Sequence, residues 1–196
     1  MEWTIGEERP RLLLGDGGEN KPDDWSSDGR FLLYRRNAHL AMFIRMDQER
    51  KPIASGDRDF LKDQLHLSPD GTHVAYDALS AGRMEVFVAA FPSFAGTVQV
   101  SSEGGVQPLW RRDGKELFYL APDKNLMSVP IRAGASMETS APKALFRTSL
   151  SGTYWVSEYA VSRDGQKVYV LEPTSPPQDS LHVITRWDRE NAYQER

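Results

Sequence analysis

Four segments of the chain repeat one pattern of apolar and polar positions around an Asp-Gly pair. They read WSSDGRFLLY at 25–34, LSPDGTHVAY at 67–76, WRRDGKELFY at 110–119 and VSRDGQKVYV at 161–170. In each segment a large apolar residue lies three positions before the aspartate, and two more follow it by four and six positions. An Asp-Gly pair between apolar runs predicts a β-hairpin whose glycine adopts a left-handed conformation.

The spacing of the four hairpins indicates a repeat architecture. The turn glycines Gly29, Gly71, Gly114 and Gly165 are 42, 43 and 51 residues apart. A repeat of about 40–50 residues built from short strands is typical of a β-propeller blade. After each turn, apolar residues occupy adjacent positions, so we expect this strand to be covered on both faces, as in stacked blades.

The rest of the chain completes these units. We predict an all-β fold, a β-propeller of about four four-stranded blades at 20–56, 62–102, 107–148 and 155–187, within a single domain covering 1–196. The last blade has only three predicted strands. Residues 15–24 and 132–142 are rich in small and polar residues and are predicted to be loops.

The first fourteen residues allow two interpretations. Their two predicted strands, at 2–5 and 11–14, suit the second half of an incomplete blade, which makes the chain an arc of a larger propeller. Alternatively, the strand at 11–14 pairs with 181–187 and closes a four-bladed ring. We favour the arc, in which apolar residues such as Leu32, Val168 and Val170, or their neighbours, are exposed and promote self-association.

Composition narrows the classes of function. The 196 residues are 39% hydrophobic and 27% charged, which is ordinary for a folded protein. The net charge of −4 and the pI of about 5.6 argue against a general nucleic-acid binder, which would carry a basic stripe. The absence of cysteine excludes disulfides and cysteine-ligated metals. No apolar run is long enough to cross a membrane.

No motif in the sequence indicates a catalyst. There is no Gly-x-Ser-x-Gly or His-Glu-x-x-His pattern, and the four histidines are far apart. The aspartates of the Asp-Gly turns are explained by hairpin geometry without calcium. We therefore predict no catalytic residues, no cofactor and no metal site.

The remaining candidates are polar residues in the connectors that lead into the innermost strand of each blade. In a propeller these connectors surround one mouth of the central channel, so they form either a solvated rim or a recognition surface for a protein segment or small polar ligand. These residues are Asp23, Asp24, Arg58, Asp59, Lys62, Asp63, Gln107 and Glu158.

The four hairpin segments, with the run at 105–131 and the ending at 181–187, resemble the TolB-like, WD-repeat-like propeller repeat. They are similar to the C-terminal propellers of some bacterial serine/threonine protein kinases. The third repeat departs from the pattern, because Arg111 and Arg112 stand where Ser-Pro is usual. The repeat residues of this family are structural, so the resemblance implies no catalytic residue.

The resemblance implies a non-enzymatic protein-interaction or sensory module with a protein or peptide partner. The alternatives are an accessory propeller of a hydrolase or lyase, or a truncated propeller without activity of its own. The kinase glycine-rich loop, HRD and DFG motifs are absent from the sequence. The compartment would be extracytoplasmic, in the periplasm, for a propeller of a membrane-anchored kinase, and cytoplasmic otherwise.

Overall fold

A computed structural model describes residues 8–9, 11–15, 18–55, 62–133, 137–153, 156–173 and 179–185. These ranges hold β-strands and turns but no helix, hence no helix long and apolar enough to span a membrane. The first sheet contains β1 (Asn20–Trp25), β2 (Phe31–Arg36), β3 (Leu40–Arg45) and β4 (Pro52–Ala54). The second contains β5 (Lys62–Leu67), β6 (His73–Ser80), β7 (Arg83–Ala90) and β8 (Val98–Gln99).

The third sheet contains β9 (Val106–Trp110), β10 (Glu116–Leu120), β11 (Asn125–Ala133), β12 (Met137–Thr139) and β13 (Lys143–Arg147). The fourth contains β14 (Tyr159–Val161), β15 (Lys167–Pro173) and β16 (Asp179–Thr185). Neighbouring strands are antiparallel throughout. The first strands of the sheets, β1, β5 and β9, lie side by side, as the innermost strands of propeller blades do. The predicted all-β propeller of about four blades is thus confirmed.

Three details of the predicted strands need correction. Residues 15–24 are not all loop, because β1 begins at Asn20 and pairs with β2. The inserted stretch at 132–142 is not all loop either, because β12 pairs with the end of β11. Residues 11–14, predicted as a strand, add no strand to a sheet and show only an isolated bridge at Arg11. The other predicted N-terminal strand, at 2–5, lies outside the described residues.

The Asp-Gly turns are held by one small hydrogen-bond network. In the first turn the hydroxyl of Ser26 donates to Asp28 Oδ1 at 2.7 Å. The backbone N–H of Phe31 donates to Ser26 Oγ at 2.8 Å, which closes the hairpin. The second and fourth turns repeat these bonds. In the third turn Arg111 takes the place of the serine, and its guanidinium binds both oxygens of Asp113.

The second strand of each blade packs on both neighbours. Val74 and Tyr76 face the first blade, whereas Ala75 faces the third. Runs of consecutive buried residues on β2, β6 and β10 follow from this arrangement and confirm that these strands are covered on both faces. Two positions of each blade, four and six residues after the turn glycine, face the next blade. In the first three blades they are Leu33 and Arg35, Ala75 and Asp77, and Phe118 and Leu120, all buried.

The blades form an open arc. The hydrophobic clusters among the described residues join the first blade to the second, the second to the third and the third to the fourth, but none joins the fourth to the first. At the front of the arc, Leu13 and Leu14 cover Tyr34 on the first blade. At the rear, Val168 and Val170 are not exposed as expected, because they face the third blade, and their neighbour Leu171 is exposed instead.

Candidate functional site

The candidate site lies where the innermost strands begin, at one mouth of the channel, and we call it the channel mouth. Gln64 on β5 and Gln107 on β9 stand seven residues before their turn glycines and have φ values of +51° and +59°. The register with the second strand shifts close to both positions. Such bulges redirect side chains at the start of a strand. Here they direct polar groups towards the neighbouring blades.

Arg35 joins the first two blades through two aspartates. Its Nε lies 2.9 and 3.0 Å from the two oxygens of Asp23, and its Nη1 donates to Asp63. His39 Nδ1 lies 3.2 Å from the other oxygen of Asp63. Arg35 is only 2% exposed. Burial disfavours its charge, but the bonds to both aspartates outweigh this and raise the pKa of Arg35.

Burial has the opposite consequence for the acids. It raises the pKa of Asp23 to about 6, although the bonds from Arg35 oppose this shift. Asp77 pairs with Asp63 across β5 and β6 and is completely buried. Burial raises the pKa of Asp77 to about 7, against the opposing hydrogen bond from the Gln107 N–H. We call Asp23, Asp63 and Asp77 with Arg35 the carboxylate cluster.

Two polar atoms in this region have no hydrogen-bond partner among the described residues. Asp77 Oδ2 accepts the backbone N–H of Gln107 at 2.8 Å, whereas Asp77 Oδ1 accepts nothing. The amide oxygen of Gln64 accepts from the Ser157 hydroxyl at 2.9 Å, whereas its Nε2 donates to nothing. Buried polar groups are normally paired, so these two atoms are candidates for binding a water molecule or a ligand group.

A second set of bonds ties the third blade to the fourth, and we call the Gln107–Glu158 pair the clamp. Gln107 Nε2 donates to Glu158 at 2.9 Å, and Gln107 Oε1 accepts the Glu158 N–H at 2.8 Å. The Glu158 carboxylate also accepts bonds from the backbone of Ser151 and Gly152. Partial burial would raise the pKa of Glu158, but these hydrogen bonds outweigh it and lower the pKa.

A cleft of about 170 Å³ opens beside the clamp. Its walls include Val106, Leu120, Ser151 and Gly152, and Lys124 is also among its lining residues. The cleft is large enough for one apolar side chain. The channel mouth therefore combines an apolar recess with buried carboxylates.

The predicted residues divide into three groups. Asp23, Asp63, Gln107 and Glu158 come together in the carboxylate cluster and the clamp. Asp24 and Lys62 serve blade packing, because Asp24 accepts the Leu67 N–H at 2.7 Å and the Lys62 ammonium lies 5.7 Å from the Tyr76 ring centre. Arg58 and Asp59 lie outside the described residues. Lys62, Asp63 and Gln107 are buried, whereas Asp23, Asp24 and Glu158 are partly exposed.

Sequence reasoning missed Arg35, Asp77 and Gln64. Arg35 and Asp77 are both six residues after a turn glycine and reach from the second strand of one blade to the innermost strand of the next. The available signal was a charged residue within a strand that is otherwise apolar. Within the described residues, no three His, Asp or Glu side chains are arranged to hold a metal ion.

Comparison with known proteins supports the propeller fold. No protein-family model matches the chain, and no curated protein matches its sequence. Among solved structures it is similar to TolB from Acinetobacter baumannii, with a TM-score of 0.61 and 16% identity over 91% of this chain and 46% of that chain. It is also similar to a 6-phosphogluconolactonase-like protein from Bacteroides uniformis, with a TM-score of 0.57 and 13% identity over 86% and 51% of the two chains.

A third similar structure is the β-propeller domain of Cps50 (Swd1) from Myceliophteria thermophila. The TM-score is 0.53 and the identity 11%, over 83% of this chain and 68% of that one. The chain spans about half the length of the first two structures. These likenesses support the TolB-like and WD-repeat-like propeller fold. The closer similarity to kinase propellers, and a bacterial origin, stay predictions.

Proposed function

We propose that this chain is a non-enzymatic protein-interaction module that binds a segment of a partner protein at the channel mouth. The segment presents an amine-bearing side chain next to an apolar one. The observation that carries this proposal is the carboxylate cluster, in which Arg35 binds Asp23 and Asp63, and the neighbouring Asp77 has one oxygen, Oδ1, without a partner in the described structure. A sensory role, in a kinase or elsewhere, would use the same binding event.

The charge of the cluster favours a cationic ligand. Three carboxylates against one guanidinium leave an excess of negative charge, reduced at neutral pH by the raised pKa values of Asp23 and Asp77. Buried charges surrounded by protein are poorly screened, so their field reaches the opening of the channel. An approaching ammonium group stabilises the ionised form of these acids through its charge.

The cleft beside the clamp favours an apolar neighbour in the ligand. Val106 and Leu120 provide apolar walls, while the loop at 151–153 is held in place by Glu158. A site supported by rigid strands and a bonded loop loses little entropy when a peptide binds. Lysine followed by leucine is the simplest sequence that meets both requirements.

Isothermal titration calorimetry at low ionic strength tests the proposal. The ligands are acetyl-Gly-Lys-Leu-Gly-amide and the same peptide with glutamate in place of lysine. We expect the lysine peptide to bind at least about tenfold more tightly, a difference of about 1.4 kcal/mol. Added salt should weaken its binding, because salt screens the charges.

Two variants locate the binding. Asp77→Asn removes the charge of the Asp77 carboxylate and should selectively weaken binding of the lysine peptide. Glu138→Gln removes an exposed carboxylate on β12 and should leave the affinity unchanged. Equal affinity for both peptides, or no binding of either, would overturn the proposal. Hydrolysis or lyase activity in the purified chain would instead support the alternative of a propeller that serves an enzyme.

A further inference from the structure

Consecutive blades pack through the same kind of interface, which occurs three times in the molecule. The two ends of the arc carry the two halves of one more such interface. The rear half consists of the positions four and six residues after the turn glycine, which are buried in the first three blades. In the fourth blade these positions are Tyr169 and Leu171. Tyr169 is only partly buried, and Leu171 is 67% exposed.

The front half contains the residue four positions before the turn glycine. In the third blade this residue is Trp110, which is buried and reaches back to the second blade, where its Nε1 donates to the His66 carbonyl at 3.0 Å. The equivalent residue of the first blade is Trp25, and it is 52% exposed. The carbonyl equivalent to that of His66 on the fourth blade belongs to Ala160, an exposed residue.

We propose that a second copy of this chain binds head to tail, with the front of its first blade on the rear of the fourth blade. Leu171 is then covered as Leu120 is covered by the fourth blade, and the indole of Trp25 meets the Ala160 carbonyl of the other copy. The contact continues the packing between consecutive blades, with the same strands in the same roles. Each end carries an exposed large apolar side chain, Trp25 at the front and Leu171 at the rear, and the contact removes both from water.

Two leucines near the N-terminus already cover part of the front of the first blade. Leu13 and Leu14 cover Tyr34, Met42 and Ile44, and Trp25 does not belong to this cluster. In the proposed contact they remain at its edge and touch the incoming blade. A head-to-tail contact of this kind forms a closed ring if the rotation between successive copies brings the last copy back to the first. Otherwise it extends into longer oligomers.

Sedimentation velocity over a range of concentrations tests the association. We expect the full chain to form dimers or larger species as concentration rises. Leu171→Lys and Trp25→Ala should each weaken association at least about tenfold, since each removes a central apolar side chain from the contact. The matched control is Leu79→Lys, a partly exposed leucine on β6 that faces neither end of the arc. Far-ultraviolet circular dichroism confirms that each variant is folded.

Chemical crosslinking determines which surfaces meet, and the absence of native cysteine makes it specific. Ser27 Oγ lies 2.8 Å from the Pro69 carbonyl, so equivalent turn positions of consecutive blades are adjacent. The position equivalent to Ser27 in the fourth blade is Arg163. A bismaleimide should therefore link Ser27→Cys to Arg163→Cys in a mixture of the two variants.

Three results would overturn this inference. The first is a monomer at every concentration. The second is association that Leu171→Lys and Trp25→Ala leave unchanged, which would place the contact elsewhere. The third is efficient crosslinking of Arg163→Cys to itself without Ser27→Cys, which would show that two rear faces meet.

Discussion

Replacing Asp77 with asparagine removes a charge that folding places in an unfavourable environment. Burial raises the pKa of Asp77 from 3.8 to about 7, and the neighbouring Asp63 and Asp23 add to the shift. Below pH 3.8 the carboxyl is protonated in both folded and unfolded chains. Between that pH and about 7 the unfolded chain releases the proton while the folded chain keeps it. The free energy of unfolding therefore falls as the pH rises through this window.

The size of this effect follows from the shift in pKa. The difference between 3.8 and about 7 is about 3 units, and one unit corresponds to about 1.36 kcal/mol. Ionisation of Asp77 thus costs the folded protein on the order of 4 kcal/mol once the pH exceeds 7. Asparagine has no such cost, and its oxygen can still accept the Gln107 N–H. Relative to the wild type, Asp77→Asn should gain stability by that amount as the pH rises from about 4 to about 8.

Urea unfolding followed by tryptophan fluorescence at several pH values measures this difference. Asp113→Asn is the control, because its hydrogen bond from Arg111 lowers the pKa of Asp113. A lowered pKa gives a stabilisation that is fully present above pH 3.8 and is lost only as the pH falls below it, so the stability difference between this variant and the wild type should stay nearly constant from about pH 4 to about pH 8. If the difference between Asp77→Asn and the wild type stays constant across the range, the assignment of Asp77 as a buried, partly protonated acid is wrong.

The other predictions concern single contacts. Arg35→Met leaves two buried carboxylates without their cation and should destabilise the chain by about 3–5 kcal/mol at pH 8, with a smaller loss at pH 5. The control Arg112→Met changes an exposed arginine and should alter the stability little. Equal losses of stability for the two variants in urea unfolding would contradict this. Gly71→Ala should cost about 1–2 kcal/mol through its positive φ alone. Gly165→Ala should cost more, because its Cβ would also lie 2.5 Å from Arg111 Cδ, and thermal melts giving the reverse order would refute this packing of turns.

The repeat could be predicted from the sequence because its determinants are local. The Asp-Gly turns use residues within six positions of one another, and the apolar residues after them record burial directly. The start of β1 was missed because its sequence, NKPDDW, is polar and has no strand pattern. That strand lines the channel mouth, where Asp23 and Asp24 bind groups of the neighbouring strands instead of packing in the core.

The candidate site was only partly predictable, because its contacts are between blades. The position of a connector indicated Asp63 and Gln107, but their partners Arg35 and Asp77 lie 28 and 30 residues away. A sequence pattern does not show which charged residue of one strand meets which residue of the next blade. It also does not show burial, and burial changes these residues from a solvated rim into a buried network with raised pKa values.

A titration of the ¹⁵N-labelled chain with acetyl-Gly-Lys-Leu-Gly-amide, followed by NMR, tests the binding of a partner segment at the channel mouth most directly. We predict saturable shifts of the backbone amides of Gln64, Gln107 and Ser157. The amides of the turn glycines Gly71 and Gly114, at the opposite ends of the same innermost strands, should not move. Shifts concentrated at these turns, or none at the channel mouth, would contradict the account.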